Sequence, residues 1–172
     1  MATSTMNLPL SSAALPDGSS GNAAPGFTMR TGTNANPKRR ILTADFDAAT
    51  DEHLIFNFRM PANYLSGGVV KILWGANAVA NSAVFGASLG AVTPADADTP
   101  YEHAQAAAST TTTATNATEA RRLNETSITL ANLDSVAPGD LVTLIVYRDA
   151  DNGSDTLTVD AEVENIAFEY TS

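Results

Sequence analysis

The sequence predicts an all-β protein, an antiparallel β-sandwich of the jelly-roll type with an extended N-terminal arm. Eight or nine short apolar runs are separated by turn signals at intervals of about 8–15 residues, as in sandwiches and barrels. No segment has the apolar period of an amphipathic helix. The 172 residues, the long loops and one polar edge strand favour a jelly roll over an immunoglobulin-like sandwich, which typically has about 100 residues.

Composition and charge exclude several function classes. The chain has no cysteine, which excludes disulfide bonds, thiolate catalysis and cysteine-based zinc sites. The net charge of −10 is uneven, because residues 1–40 carry four Lys or Arg against one Asp (+3), which leaves −13 on residues 41–172. Such an acidic body predicts no nucleic-acid partner. No run approaches the ~18 apolar residues of a membrane span and no secretory signal is visible, so we expect no membrane partner and synthesis in the cytoplasm.

The first 40 residues predict the arm, and residues 41–172 predict the sandwich domain. The arm is rich in Ser, Ala, Gly, Asn, Pro and Thr and cannot bury a core of its own. Two interpretations stand: an arm that is ordered on a neighbouring molecule, or a disordered tail. The candidate contact residues of the arm are Leu8, Leu10, Leu15, Phe27, Arg30, Lys38, Arg39 and Arg40.

Apolar alternation and β-branched runs predict the strands of the domain. They cover residues 40–46, 53–60, 69–74, 81–92, 109–115 and 125–133. Trp74, at the end of the third strand, is expected in the core. Gly86 and Gly90 in the fourth strand predict a bend or a bulge. Residues 102–108 are Ala-rich and could make a single helical turn, and the Thr-rich strand that follows is expected at a sheet edge.

Residues 138–170 predict a long β-hairpin, with strands over residues 141–148 and 156–170 around a polar turn. In the second strand the apolar residues occupy odd positions up to Val163 and even positions from Ile166. A slip of one residue turns every side chain to the other face unless a bulge absorbs it. We therefore predict a bulge at Glu164 and Asn165, where the strand passes from one sheet neighbour to another.

The turn of this hairpin holds the most site-like residues, Asp149, Asp151 and Asp155. Their carboxylates could bind calcium, but their spacing does not fit an EF-hand, and turn geometry is the favoured interpretation. The acidic residues Asp45, Asp47, Asp51 and Glu52 are interpreted as a solvated turn rather than a glycosidase pair. Because His53 and His103 belong to no metal or nucleophile motif, we expect no cofactor and no enzymatic activity.

Three segments resemble a family of small structural proteins of tailed bacteriophages. They are FDAATDEHLIFNFRMPANY (46–64), SGGVVKILWGANA (66–78) and APGDLVTLIVYRDADNGSDTLTVDAEVENIAFEY (137–170). The resemblance implies a jelly-roll module that assembles on a virion, commonly as a homotrimer, with an arm that reaches neighbouring subunits. It also implies structural roles for the turn at residues 138–140 and for Asp160, and a local contact between Arg148 and Asp149.

From this resemblance the leading hypothesis is a capsid decoration (cement) protein. It would bind the major capsid protein on the outer surface of the head and stabilise the shell by adding buried interface. The contact is expected in the arm and its basic residues. The alternative is a tail- or fibre-associated module that binds a host-surface glycan, for which the candidate residues are Tyr64, Tyr101 and Asn57.

Overall fold

The computed structural model describes residues 1–34 and 36–172. Within them the chain forms an all-β sandwich of two antiparallel sheets with a jelly-roll fold, as the sequence predicts. The strands are β1 (Thr3–Leu8), β2 (Gly26–Thr31), β3 (Arg40–Phe46), β4 (Glu52–Arg59), β5 (Ser66–Ala76), β6 (Ser82–Val92), β7 (Ser109–Ala114), β8 (Asn124–Thr129), β9 (Leu141–Arg148) and β10 (Ala161–Thr171). In this part of the chain no helix is both long enough and apolar enough to span a membrane.

The two sheets contain six and four strands. The larger sheet has the order β2-β3-β10-β5-β8, with β1 added beside β10. The smaller sheet has the order β4-β9-β6-β7. Strand β6 is therefore interior to the four-stranded sheet, and its outward side is flanked by β9 and β7.

The core lies between the sheets and is filled by the inward positions of both. The alternation in β4 places Leu54 inside, fully buried. The ring of Phe85 packs edge-on against Phe46, with 6.0 Å between centroids, and is tilted by 59° against Trp74, with 5.5 Å between centroids. Trp74 is fully buried, as predicted, and its indole N–H donates to Thr126 Oγ1 at 2.9 Å. This bond satisfies the polar end of the ring, which would otherwise be costly to bury.

The N-terminal segment belongs to the sandwich, which corrects the expectation of an arm over residues 1–40. Strand β1 pairs antiparallel with β10 along its whole length. Leu8 and Leu10 are 5% and 6% exposed and are part of the core. The chain then crosses to the four-stranded sheet, where backbone hydrogen bonds join Ala14 to Ile55, and returns as β2. The segment shows no apolar period because it contributes to two sheets in turn.

The C-terminal strands do not form the predicted hairpin. Strand β9 lies in the four-stranded sheet and β10 in the six-stranded sheet, so residues 149–160 carry the chain from one to the other. The second strand begins at Ala161 and not at Thr156. The N–H groups of Thr156 and Leu157 instead donate to the carbonyl of Ser82 at 2.8 and 3.0 Å. Alternation alone cannot distinguish two paired strands from two strands that face each other across a core.

The predicted bulge is present in β10. Val163 lies opposite Trp74 and Asn165 lies opposite Leu73, so Glu164 is the extra residue. On its other edge, β10 pairs with β3 before the bulge and with β1 after it. The phase slip and the change of sheet neighbour are both confirmed, and the apolar residues on either side of the bulge face the core.

Strand β7 lies at the edge of the four-stranded sheet, as its threonines predict. Its Thr113 accepts a hydrogen bond from Thr126 at 2.8 Å, and its Thr111 donates to the carbonyl of Ser127 at 3.2 Å. These bonds to β8 close one side of the sandwich with hydroxyl groups. The helical turn expected within residues 102–108 is absent from the described structure of that segment.

Candidate functional site

A row of small residues, which we call the trough, runs along the outer face of the four-stranded sheet over β6 and is covered at both ends by larger side chains. It is defined by the small residues Gly86, Ser88 and Gly90 and by the side chains that flank them. These three positions alternate with the inward residues Phe85, Ala87 and Leu89, which are fully buried. Strand β6 pairs with β9 without a shift of register, so the bulge predicted as one alternative at the glycines is wrong, and the bend stays a prediction. The glycines instead leave space for side chains of neighbouring elements.

Tyr147 of β9 fills one end of the trough. It lies opposite Gly86 on one side and opposite His53 on the other. A Cβ atom at Gly86 would lie 2.2–2.5 Å from Cζ, Cε1 and Oη of Tyr147, so the ring occupies the place of a side chain at that position. The His53 ring stacks on Tyr147 with 5.2 Å between centroids and 23° between planes. The two rings form an aromatic pair on the outer side of the sheet.

Both rings of this pair favour the uncharged state. Burial raises the pKa of the Tyr147 hydroxyl, and the charges of Asp149 and Asp51 raise it further. Burial lowers the pKa of His53, and the charge of Asp51 and the backbone carbonyl of Ala23 oppose this shift. The Nδ1 atom of His53 is buried and has no hydrogen-bond partner among the described residues. A buried polar atom of this kind is rare and calls for a partner.

The other end of the trough is lined by amides and hydroxyls. Gly90 lies opposite Thr143, and Thr143 lies opposite Asn57, to which it donates a hydrogen bond of 2.8 Å. The Gln105 amide lies over Gly90, where its nitrogen would be 2.8 Å from an added Cβ. Its Oε1 atom is buried and has no partner in the described part of the chain. The trough thus has a second unsatisfied polar atom at its far end.

Three carboxylates lie beyond the Tyr147 end. Oxygen atoms of Asp51, Asp149 and Asp151 lie within 4.8 Å of one another. The charge of Asp51 is the main cause that raises the pKa of Asp151, and the hydrogen bond and charge of Asp149 add to it. Carboxylate oxygens are ligands that calcium prefers. The set differs from the predicted one, because Asp51 takes the place of Asp155.

Asp155 forms a buried ion pair with Arg148. Both side chains are almost fully buried, and the guanidinium meets the carboxylate in two bonds of 2.9 and 3.0 Å. The same guanidinium donates to the backbone carbonyls of Phe46, Asp47, Leu157 and Val159. The local contact expected between Arg148 and Asp149 is therefore wrong. The pair fixes residues 149–160 and thereby the position of Asp149 and Asp151.

The predicted contact residues of the arm fall into three groups. Leu8 and Leu10 are buried in the core, so their assignment to a surface contact is wrong. Arg30 bridges Asp45 at 2.8 Å and Glu162 at 3.2 Å on the outer face of the six-stranded sheet. The other residues are exposed, and their proposed contact stays a prediction: they are Leu15, Phe27, Lys38, Arg39 and Arg40.

The three residues predicted to contact a glycan differ in their exposure to solvent. Tyr64 is buried against Tyr170, with 5.8 Å between ring centroids, and is excluded. Tyr101 is 97% exposed in the loop before β7, and Asn57 is exposed in the trough. Sequence analysis missed Tyr147. Two sequence patterns could have indicated Tyr147. The residue occupies an outward position in the alternation of β9, and the motif GASLG of β6 has a small residue at every second position.

Comparisons with known proteins find solved structures of similar fold. Neither a protein-family model nor a curated protein matches the chain. The mosquito-larvicidal Cry4Aa toxin of Bacillus thuringiensis is similar over 98% of this chain, with a TM-score of 0.53 and 15% identity. The chain spans only 24% of that toxin.

Two carbohydrate-binding modules are similar at lower scores. One is the non-crystalline-cellulose-specific module CBM28, with a TM-score of 0.46, 16% identity and coverage of 91% and 84% of the two chains. The other is the CBM36-1 domain of a xylanase from the hindgut metagenome of Trinervitermes trinervoides, with a TM-score of 0.44, 10% identity and 99% coverage of both chains. None of these three is a capsid decoration protein. The likeness to all three is one of fold alone.

Proposed function

We propose that this chain is a glycan-binding β-sandwich module and that the glycan lies in the trough. The observation that carries the proposal is the Tyr147 ring, which lies over Gly86 on an outer sheet face. Two unsatisfied buried polar atoms, His53 Nδ1 and Gln105 Oε1, flank it along the same face. An aromatic ring beside unsatisfied polar groups is the surface that a sugar fits, since a sugar has apolar C–H faces and hydroxyl edges.

The energetics favour a ligand rich in hydroxyl groups. A buried polar atom without a partner costs about 1–3 kcal/mol, which a ligand hydroxyl can recover once the side chains that cover the atom move aside. From Gly86 to Gly90 the trough extends over roughly 13 Å at the rise of a β-strand, and the Gln105 side chain covers its Gly90 end. Thr143 and Asn57 add further hydroxyl and amide groups at the far end.

The negative charge at the Tyr147 end of the trough determines which class of glycan can bind. The chain carries −10, and Asp51, Asp149 and Asp151 stand at the Tyr147 end of the trough. Carboxylated or sulfated glycans would be repelled there, whereas neutral sugars would not. We therefore expect neutral glycans as ligands.

Replacing Tyr147 with Ala is the direct test. We expect binding on a glycan array by the wild-type chain, and affinity at least about tenfold weaker (~1.4 kcal/mol) for Tyr147→Ala by calorimetry, because truncating a central aromatic contact usually costs more than 1 kcal/mol. Phe27→Ala is the matched control, since Phe27 is an exposed aromatic residue on β2 of the other sheet. No binding by the wild type, or equal loss in both variants, would refute the proposal.

Replacing Gly86 with Ala tests the geometry of the trough. The new Cβ would overlap the Tyr147 ring at 2.2–2.5 Å and force the ring off β6. Because the ring is only half-buried and can swing outward, we expect a loss of stability of about 1 kcal/mol and a loss of glycan affinity comparable to that of Tyr147→Ala. Gly153→Ala is the control, since a Cβ there meets nothing within 4 Å. Unchanged affinity in Gly86→Ala would place the glycan elsewhere.

A second candidate is a virion structural role. The resemblance to phage structural proteins supports a homotrimeric capsid decoration protein on the outer head surface that binds the major capsid protein. The observation that favours it is the edge strand β2, which exposes Phe27 and Met29 close to the basic residues 38–40. Quantitative mass spectrometry of purified particles tests it. Hundreds of copies on the head support the role, and a few copies at the tail contradict it.

A further inference from the structure

The loop between β6 and β7, residues 93–108, lies over one end of the trough, and we call it the strap. Its Ala106 N–H donates to the carbonyl of Leu89 at 3.0 Å, and its Gln105 amide lies over Gly90. Pro100, His103 and Gln105 of the strap line one small recess together with residues of β6 and β9. Those residues are Gly90, Val92, Leu141 and Thr143. The strap therefore covers the end of the trough opposite Tyr147.

His103 joins the strap to a turn that lies outside it. Its Nδ1 atom is 2.9 Å from Asp98 Oδ2 in the strap, and its Nε2 atom is 2.6 Å from Asp134 Oδ2 in the turn before β9. Asp134 is fixed in place, because its Oδ2 also accepts a hydrogen bond from the N–H of Ala91 at 2.7 Å. The imidazole thus connects the strap to β6 through one carboxylate.

The protonation state of His103 decides how many of these contacts exist. A charged imidazole donates from both nitrogens and can bond both carboxylates at once. A neutral imidazole donates from one nitrogen only, so its other nitrogen then faces a carboxylate with no hydrogen between them. Loss of the proton therefore breaks one of the two contacts and removes the charge attraction from both.

The groups around His103 favour its charged form. Its pKa is raised, first by the hydrogen bond to Asp134 and also by the bond to Asp98 and by both charges, while burial acts in the opposite direction. Strands β6 and β9 present uncharged residues to it. Because the pKa is raised on folding, the stabilisation is fully present below the ordinary value of 6.5 and is lost as pH rises through the higher value of the folded chain.

We propose that His103 is a pH-controlled latch that holds the strap over the Gly90 end of the trough. In the closed state at acidic pH, glycan can occupy only the Tyr147 end. In the open state at alkaline pH, the strap leaves Gly90 and Thr143, and the trough accepts a longer glycan. The opening of the strap is a property of the free chain, whereas its effect on glycan length rests on the proposed function.

Hydrogen–deuterium exchange of the glycan-free chain tests the latch. The amide of Ala106 reports closure directly, because it donates to β6. After correction for intrinsic exchange rates, we expect its protection to fall at least about tenfold from about pH 5.5 to about pH 8.5. In His103→Gln the protection should be low at both pH values. In Glu102→Gln, which removes a neighbouring charge on the same strap, it should follow the wild type.

Two results would overturn the latch: protection of Ala106 that does not change with pH, or His103→Gln behaving as the wild type. A second measurement separates the latch from the glycan function. Calorimetry with the best neutral hexasaccharide from the array and its disaccharide should show the hexasaccharide gaining affinity with pH and the disaccharide staying constant. Exchange that depends on pH without any glycan binding would retain the latch and refute the glycan function. Glycan binding with equal length dependence at both pH values would refute the effect of the strap on glycan length and leave the glycan function standing.

Discussion

Replacing Arg148 with Met is expected to lower the free energy of unfolding by about 3–5 kcal/mol, the usual cost of removing one partner of a buried ion pair. Arg148 and Asp155 are both almost fully buried, so the carboxylate would remain as an unpaired charge in the core. A typical domain has only about 5–15 kcal/mol of stability. The variant should therefore be partly unfolded or close to its threshold.

The chain should remain destabilised when the charge of Asp155 is removed together with that of Arg148. A buried ion pair without further hydrogen bonds can often be replaced by apolar residues without loss of stability. Arg148 also donates to four backbone carbonyls, and Asp155 accepts the N–H groups of Val84 and Leu157. The double variant Arg148→Met/Asp155→Leu would leave these groups without partners. We therefore expect it to stay destabilised by more than 2 kcal/mol, on the basis of about 1–3 kcal/mol for each orphaned group.

Urea unfolding followed by the fluorescence of Trp74, the single tryptophan of the chain, measures both variants. Arg122→Met is the matched control, because Arg122 forms an exposed pair with Glu119 and should contribute less than about 1 kcal/mol. If Arg148→Met and Arg122→Met shift the unfolding midpoint equally, the proposed role of the buried network is wrong.

Deletion of residues 1–10 is expected to leave the chain largely unfolded. The deletion removes β1, exposes the edge of β10 along the whole length of that pairing, and takes Leu8 and Leu10 out of the core. Each leucine truncated to Ala should cost about 2–5 kcal/mol. The deletion removes both side chains together with the β1 backbone pairing, so its cost should exceed that of either single variant.

Point variants distinguish this result from a general effect of shortening the chain. Leu8→Ala and Leu10→Ala should each lower the melting temperature clearly. Leu15→Ala, at a side chain that is 52% exposed in the same segment, should change stability by no more than about 0.5 kcal/mol. A folded and stable deletion variant would restore the interpretation of these residues as an arm.

The buried network and the trough are connected through residues 149–160. The Arg148 guanidinium donates to the carbonyls of Phe46 and Asp47 at the end of β3 and to the carbonyl of Val159 within this segment. The segment begins with Asp149, two residues after Tyr147. The N-H of Ala150 also donates to Asp51 at 2.7 Å, which joins the β3–β4 turn to the same place. The acidic end of the trough is therefore set by a core interaction, and Arg148→Met should disturb Asp149 and Asp151 as well as the fold.

The glycan-binding and virion proposals use different surfaces. The trough lies on the outer face of the four-stranded sheet, whereas Phe27, Met29 and the basic residues 38–40 lie at the β2 edge of the six-stranded sheet. Tyr147→Ala and Phe27→Ala consequently separate the two. A chain that loses glycan binding in the first variant and particle binding in the second would perform both functions.

Local patterns in the sequence were sufficient for several features of this protein. The alternation of apolar residues predicted the all-β class, most strands and the buried Trp74, and the threonines of β7 predicted its edge position. The phase slip after Val163 gave the bulge at Glu164 and the change of sheet neighbour. These features follow from the two-residue period of a strand, which requires only near neighbours in the chain.

Only the tertiary structure decided which strands meet. It placed β9 and β10 in different sheets, brought β1 into the core, paired Arg148 with Asp155, and brought Tyr147 over Gly86. The reason is physical: alternation tells which face of a strand is buried but not which edge finds a partner, because edge pairing depends on contacts between distant segments. A charged residue such as Arg148 looks exposed in sequence, and only the carbonyls and the carboxylate around it explain why it is buried.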